Sequence, residues 1–211
     1  MRETVESIRT YGVLVPVIAR PLPDGNFELI TGHRRKYACE IAGKKKMPVI
    51  IRDLDRDAAT IIMVDSNLQR ENILPSERAA AYKMKMEAIK RSAGRPTKNS
   101  PQVAANFRSD DEVSKGEDVS GDTIRRYIRL TELQPELQQM VDEKKIALTP
   151  AVEISYLKPD EQRLLLDTIE SEQATPSLSQ AQRLKKLSQS GELNDDTMLE
   201  ILSEQKKPEK M

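Results

Sequence analysis

The sequence predicts an α+β fold, in which a small mixed α/β domain at the N-terminus is followed by an all-α domain with a helix-turn-helix. Short β-branched runs at 13–20, 27–30 and 47–52 alternate with helical spacing over the first part of the chain. After Pro75 no strand pattern returns, and helical segments are separated by Pro, Ser or Gly. We therefore expect an α/β domain at 1–74, a helix-turn-helix domain at 75–158, and C-terminal helices at 159–211.

Each element has its own local signal. Pro23-Asp24-Gly25-Asn26 is a hairpin turn signal between the first two strand runs. The N-terminal helices are expected at 3–11, 33–42 (with Ala38, Ile41 and Ala42 inward) and 55–66. The later helices are expected at 76–91, 109–116, 121–131, 134–145, 149–156, 160–172, 178–189 and 195–204, before a frayed tail at 205–211. Since no segment before the first helix supplies a neighbour for the first strand, we also expect an N-terminal truncation.

Composition limits the class of protein. The 211 residues carry 34 basic and 34 acidic side chains, so any attraction to nucleic acid must come from a local basic face. The single cysteine, Cys39, excludes an intramolecular disulfide and is expected to be a half-buried, inert thiol. No apolar run approaches the roughly 20 residues needed to span a bilayer. We expect a cytoplasmic protein without a membrane partner.

The segment 29–38 predicts an anion pocket. An apolar run leads into Thr31 and Gly32, and Arg34 and Arg35 then lie in the first turn of a helix. Glycine allows close backbone approach, a helix start offers unpaired N–H groups, and guanidinium groups match phosphate oxygens. His33 is either a phosphate hydrogen-bond donor or a plain surface residue. The alternative for the whole segment is a solvated helix start, although cations there oppose the helix dipole unless an anion is present.

A second polar cluster, 67–72, could complete such a pocket. Oxygen ligands suit Mg²⁺, so Asn67 and Glu71 could approach a phosphate-bound metal ion while Arg70 reaches a phosphate. The alternative is a polar helix end and cap just before Leu74 and Pro75.

Residues 109–130 fit a helix-turn-helix with Val113 inward and Ser120 as the N-cap of the second helix. Ile124, Tyr127 and Ile128 share one face of that helix, and Arg125, Arg126 and Arg129 the opposite one. The alternative is an ordinary amphipathic helix with a solvated arginine face. We expect DNA contacts from these residues: Arg95, Lys98, Arg108, Ser120, Thr123, Arg125, Arg126 and Arg129.

In order along the chain, these segments resemble the ParB partition-protein family. Residues 12–20 resemble its first box, 31–38 its arginine box, and 67–71 its third box, with the helix-turn-helix following. The resemblance implies a nucleotide module that binds CTP with Mg²⁺ and a helix-turn-helix that binds a centromere-like site in double-stranded DNA. It also implies CTP-driven closure of a homodimer into a DNA clamp, and a ParA-type ATPase as a partner.

Position by position, the resemblance implies that Gly32, Arg34 and Arg35 hold the triphosphate, with a hydroxyl contact from Thr31 and with Asn67 at the metal or phosphates. The third box usually begins Glu-Asn, but Ser66 precedes Asn67 here. The loss of that carboxylate weakens the case for nucleotide hydrolysis more than for binding. Weak CTPase activity is left open on these grounds.

Two other classes of protein remain as alternatives. The α/β module also resembles sulfiredoxin and nuclease-like relatives, but Cys39 lies beyond the phosphate loop and Ser66 replaces the most plausible carboxylate. The other alternative is a helix-turn-helix transcription regulator that binds no nucleotide.

Overall fold

The computed structural model describes residues 1–93, 113 and 119–204. These residues separate into two compact units. The first comprises 1–71 and 84–93, and the second comprises 72–83, 113 and 119–204. Strands occur in the first unit and the described part of the second is helical, so the expected α+β fold is confirmed.

The first unit is built on a three-stranded sheet whose middle strand is the first in the chain. Strand β1 pairs antiparallel with β2 and parallel with β3, giving the order β2-β1-β3. The elements are α1 (Arg2–Tyr11), β1 (Val17–Pro21), β2 (Phe27–Thr31), α2 (His33–Ile41), β3 (Val49–Ile51) and α3 (Arg56–Leu68).

The bounds of two strands and the orientation of one side chain differ from those expected for this unit. The first strand begins at Val17 and not at residue 13, and Leu14 and Val15 before it are exposed. Pro16 offers no N–H for a sheet ladder, which explains why pairing starts after it. The third strand covers only 49–51 of the expected 47–52. Ile41 faces solvent instead of the interior, since Cys39 takes the inward position beside Ala38.

Helix α1 packs against α2 through a small apolar cluster. Val5 and Ile8 of α1 contact Ala38 and Cys39 of α2, and all four side chains are buried. Cys39 is a free thiol inside this cluster. It therefore contributes to packing, as a small apolar side chain does.

Helix α4 (Pro75–Ala93) runs through both units. In the first unit its later residues are joined to α3 by two ion pairs, Asp65 with Lys85 at 2.6 Å and Asp57 with Arg91 at 2.9 Å. The order of these pairs shows that α3 and this part of α4 are antiparallel. Lys85 is only 4% exposed but the side chain of Asp65 is 39% exposed, so a buried ammonium group meets a partly exposed carboxylate between the two helices.

The described part of the second unit is a helical bundle around one apolar core. It contains the start of α4, α5 (Gly121–Arg129), a 3-10 turn (Leu130–Glu132), α6 (Pro135–Asp142), α7 (Leu148–Ile154), α8 (Pro159–Glu172), α9 (Leu178–Ser190) and α10 (Asp195–Ser203). Its largest fully buried apolar side chains include Leu130, Leu137, Ile154, Leu165, Leu184 and Met198. Four helices of this unit end before the sequence predicts. Helix α5 tightens into the 3-10 turn at Leu130, α6 ends at Asp142, two residues before Lys144 with its positive φ of 60°, and α7 and α10 end at Ile154 and Ser203.

Polar side chains inside the second unit join distant segments. Buried Gln162 accepts a hydrogen bond from the Gln134 N–H and donates to the carbonyls of Glu132 and Leu157. Asp142 accepts hydrogen bonds from the backbone N–H and the hydroxyl of Ser76, at the start of α4. Within the described ranges, no helix is long and apolar enough to cross a membrane.

Candidate functional site

The start of α2 is shaped by Gly32. This residue caps the helix with φ +97°, a conformation that side chains disfavour. A Cβ atom at this position would lie 2.4 Å from Cγ1 of Val17, so only glycine fits. Helix α2 has no side-chain cap and no acidic residue in its first turn. Its positive end is therefore left without a neutralising side chain of its own, which suits an anion.

The side chains around Gly32 take different positions. Thr31 ends β2 and is 8% exposed, whereas His33 and Arg34 are exposed. Arg35 is half-buried and donates hydrogen bonds from its NH1 group to the carbonyls of Val15 and Pro16. The guanidinium of Arg35 therefore holds the loop before β1, and Arg34 presents the exposed guanidinium.

The second polar cluster follows α3. Asn67 is half-buried in the last turn of the helix, which ends at Leu68 and not at residue 66 as expected. Arg70 and Glu71 are exposed just beyond it. Helix α3 packs against β2, the strand that ends at Thr31. Within the described part of the chain, however, no hydrogen bond or ion pair joins this cluster to residues 31–35.

The described residues contain no group of three or more His, Cys, Asp or Glu side chains placed to hold a metal ion. The amide oxygen of Asn67 and the carboxylate of Glu71 are still the kind of donor that Mg²⁺ takes together with substrate phosphates and water.

Helix α5 has the features expected of the second helix of a helix-turn-helix. Ser120 caps it by accepting a hydrogen bond from the Thr123 N–H at 3.3 Å, and Ile124 is fully buried. Arg125 is exposed and pairs with Asp122 at 3.2 Å. Arg126 is also exposed and donates to the hydroxyl of Thr149 at 2.6 Å.

Arg129 differs from the other two arginines of α5. It is half-buried, and it donates to the hydroxyl of Ser155 at 3.2 Å and to the carbonyl of the same residue. Its Cζ lies 4.1 Å from the ring centroid of Tyr156, while Nζ of Lys185 lies 3.8 Å from that centroid. Lys185 also pairs with Glu153 at 2.8 Å. The alternative of a solvated arginine face therefore does not hold for Arg129, and the expected DNA contact by Arg129 stays a prediction.

Sequence reasoning missed the partners of Arg129. Aromatic residues are only 3% of the chain, with no Trp, and this scarcity is the one signal that could have drawn attention to Tyr156. Val113, expected to point inward, is fully buried. The predicted contacts Arg95, Lys98 and Arg108, and the rest of the first helix expected at 109–116, lie outside the described residues.

Comparison with known proteins gives a consistent picture. The family model described as the ParB N-terminal domain matches residues 1–68. The probable chromosome-partitioning protein ParB of Treponema pallidum (strain Nichols) is 32% identical over 147 residues, which cover 70% of this chain and 40% of that protein. The chromosome-partitioning protein Spo0J of Thermus thermophilus is 30% identical over 162 residues, which cover 76% of this chain and 53% of that protein.

A solved structure shows the same fold. The C-terminally truncated ParB from Caulobacter crescentus, complexed to the centromeric parS site, aligns with a TM-score of 0.55 at 23% identity, covering 88% of each chain. The molecule is thus an α/β domain of the ParB N-terminal type joined to a helical unit. Residues 1–68 belong to the ParB N-terminal domain family, and the curated relatives named above are ParB and Spo0J proteins, as the ordered boxes predict. It spans about half the length of the curated relatives it matches.

Proposed function

We propose that this protein binds a specific site in double-stranded DNA and serves in DNA partition, on a chromosome, plasmid or mobile element. Similarity to ParB proteins supports this, since the relatives described above are chromosome-partitioning proteins. The observation that carries the proposal is the pair of exposed arginines, Arg125 and Arg126, on a helix capped by Ser120. A helix of this kind fits the major groove, where an arginine can bind guanine through two hydrogen bonds.

The three arginines of α5 then have two roles. Arg125 and Arg126 contact bases or phosphates, whereas Arg129 fixes the position of α5 through Ser155 and Tyr156. Thr123, in the first turn of α5, is a further candidate contact. Phosphate contacts from Arg95, Lys98 and Arg108 remain predictions from the sequence.

The proposal includes nucleotide binding at the start of α2. CTP is the nucleotide that the family resemblance implies. Gly32 and the first-turn N–H groups would face its phosphates, with Arg34 as the exposed cation and Thr31 and His33 beside them. Arg35 would act indirectly, by holding the loop at Pro16.

The third box would complete the nucleotide site. Asn67 and Glu71 would provide oxygen donors for Mg²⁺, and Arg70 would reach a phosphate. The metal would neutralise phosphate charge when it is bound. Hydrolysis is not part of the proposal, because Ser66 stands where the family's third box usually has a glutamate. A homodimer and a ParA-type ATPase partner are proposed from the family resemblance alone.

DNA binding is tested by selection from a random-sequence duplex library, followed by fluorescence anisotropy on the enriched duplex and on a scrambled one. We expect one enriched motif, and affinity that falls as salt rises because phosphate contacts release counterions. Arg125→Ala and Arg126→Ala should each lower the preference for the enriched site by roughly 5- to 150-fold, corresponding to about 1–3 kcal/mol per base contact. Selection without enrichment, together with salt-independent binding, would contradict the proposal.

Nucleotide binding is tested separately by thermal denaturation with each of four ribonucleoside triphosphates, with and without Mg²⁺ and the enriched duplex. A ligand that binds only the native state raises the melting temperature, so CTP with Mg²⁺ should do so selectively. Arg34→Ala should abolish that rise. A nucleotide-independent regulator instead predicts no shift with CTP and unchanged DNA binding in Arg35→Ala.

A further inference from the structure

A large open groove lies in the second unit, among the ends of three helices. Its volume is about 1050 Å³, slightly above the roughly 300–1,000 Å³ typical of small-molecule pockets. Its apolar lining consists of the partly exposed Met140 of α6 and Leu166 of α8, with the buried Ile169 of α8 and Leu202 of α10 beneath them. Ile169 and Leu202 also belong to the core of the unit, so the apolar lining is rigidly supported.

The rim of the groove is strongly acidic. Its charged side chains are Glu136, Glu143, Lys145, Glu170, Glu172 and Glu204. Glu143 is paired with Lys145 and Glu204 with Arg183, both at 2.6 Å. Over the residues that the structure describes, Glu136, Glu170 and Glu172 have no ion-pair partner. Three carboxylates around the apolar lining are therefore available to an outside cation.

Helix dipoles add to this charge. Helices α6, α8 and α10 contribute their C-terminal turns to the groove, and none of the three has a basic residue in its last turn. The C-terminus of a helix carries a partial negative charge of about half an elementary charge. Three such ends beside glutamates without ion-pair partners make the groove negative, and Lys145 and the positive N-terminal end of α9, whose Gln180 also lines the groove, offset this only in part.

We propose that this groove docks a cationic amphipathic helix of a partner protein. Leucine-type side chains of the partner would pack on Met140 and Leu166, above the buried Ile169 and Leu202, and its lysines or arginines would meet Glu136, Glu170 and Glu172. This is the helix-in-groove mode of recognition, in which apolar anchors on one helix face provide affinity and the charged rim provides specificity. The inference does not rest on DNA or nucleotide binding, because the groove uses none of the residues assigned to those functions.

The test uses the full chain and a fluorescein-labelled 15-residue peptide of leucine and lysine, with leucines at helical spacing. A peptide of the same composition with the spacing scrambled serves as the ligand control. We expect the helical peptide to bind at least about tenfold more tightly than the scrambled one, since only the former presents a continuous apolar face. The double variant Glu170→Lys/Glu172→Lys should weaken its binding by roughly tenfold or more, because reversed charges repel the lysines.

A matched protein control distinguishes peptide binding in the groove from attraction by the negative charge of the protein surface in general. Asp167→Lys/Glu200→Lys makes the same change in net charge, with one substitution on α8 and one on α10, at exposed positions that do not line the groove. This control should bind the helical peptide within about twofold of the unmodified chain. The proposal would be overturned if both double variants lost peptide affinity equally or if both peptides bound equally well. It would also be overturned if spermidine, at the same concentration of positive charge, displaced the helical peptide completely.

Discussion

The guanidinium of Arg129 lies over the ring of Tyr156, with Cζ 4.1 Å from the ring centroid, and the same guanidinium donates two hydrogen bonds to Ser155. These contacts join the end of α5 to the segment that follows α7. Lys185 of α9 approaches the same ring at 3.8 Å, so the tyrosine lies between two cations. The position of the proposed recognition helix therefore depends on an arginine that a sequence pattern assigns to DNA.

We predict that Arg129→Ala lowers the free energy of unfolding by about 2 kcal/mol, since it removes charged hydrogen bonds in a half-buried site. DNA affinity should fall by similar factors on enriched and scrambled duplexes, because α5 loses its orientation and not a base contact. Urea denaturation and anisotropy measure the two effects. Arg125→Ala is the control and should change stability by less than about 0.5 kcal/mol. Loss of discrimination with unchanged stability in Arg129→Ala would contradict this role.

Local signals identified most elements but not the partners of long side chains. The Pro-Asp-Gly-Asn turn and the Ser120 cap are encoded by neighbouring residues, and both appear where the sequence predicts them. Arg35 and Arg129 bind carbonyls 19 and 26 residues away, respectively. The exposure of such a side chain depends on which segment packs beside it. Helical periodicity alone therefore gives the face of α5 on which Arg129 lies but not the segment that half-buries it. It also could not reveal the groove, whose walls come from helices separated in sequence.

Substitution of Arg34 and of Arg35, the two arginines of the arginine box, should change the stability of the fold by different amounts. Arg35→Ala removes hydrogen bonds to the carbonyls of Val15 and Pro16, and should lower the free energy of unfolding by about 1–3 kcal/mol. Arg34→Ala removes an exposed side chain, and should change the free energy of unfolding by no more than about 0.5 kcal/mol. Thermal denaturation without ligand gives this comparison independently of nucleotide binding. Equal melting temperatures for the two variants would show that Arg35 does not hold the loop.

Gly32 should be far less tolerant of a side chain than Gly25. Both have positive φ, at +97° and +83°, but a Cβ at Gly25 meets no atom within 4 Å, whereas one at Gly32 meets Val17 at 2.4 Å. Gly25→Ala should therefore cost only the left-handed strain of about 1–2 kcal/mol. Gly32→Ala should cost roughly 1–3 kcal/mol more through overpacking against Val17. Urea denaturation of both variants measures the difference, and equal costs would show that the contact with Val17 is relieved without penalty.

Asp24 in the hairpin turn should titrate at a lower pH than an unstructured aspartate. The side-chain amide of Asn26 donates to this carboxylate at 2.9 Å and its backbone N–H donates at 3.0 Å, and these bonds lower the pKa of Asp24 below its ordinary value. Because the folded pKa is the lower one, the turn is stabilised above the ordinary pKa, and this stabilisation is lost as pH falls through the folded pKa. Carboxyl-detected NMR titration should give a midpoint below that of an unstructured aspartate. Asn26→Ala keeps the backbone donor and removes the amide, so its midpoint should move upward but stay below the ordinary value. A wild-type midpoint at or above the ordinary value would show that the Asp24 turn does not persist in solution.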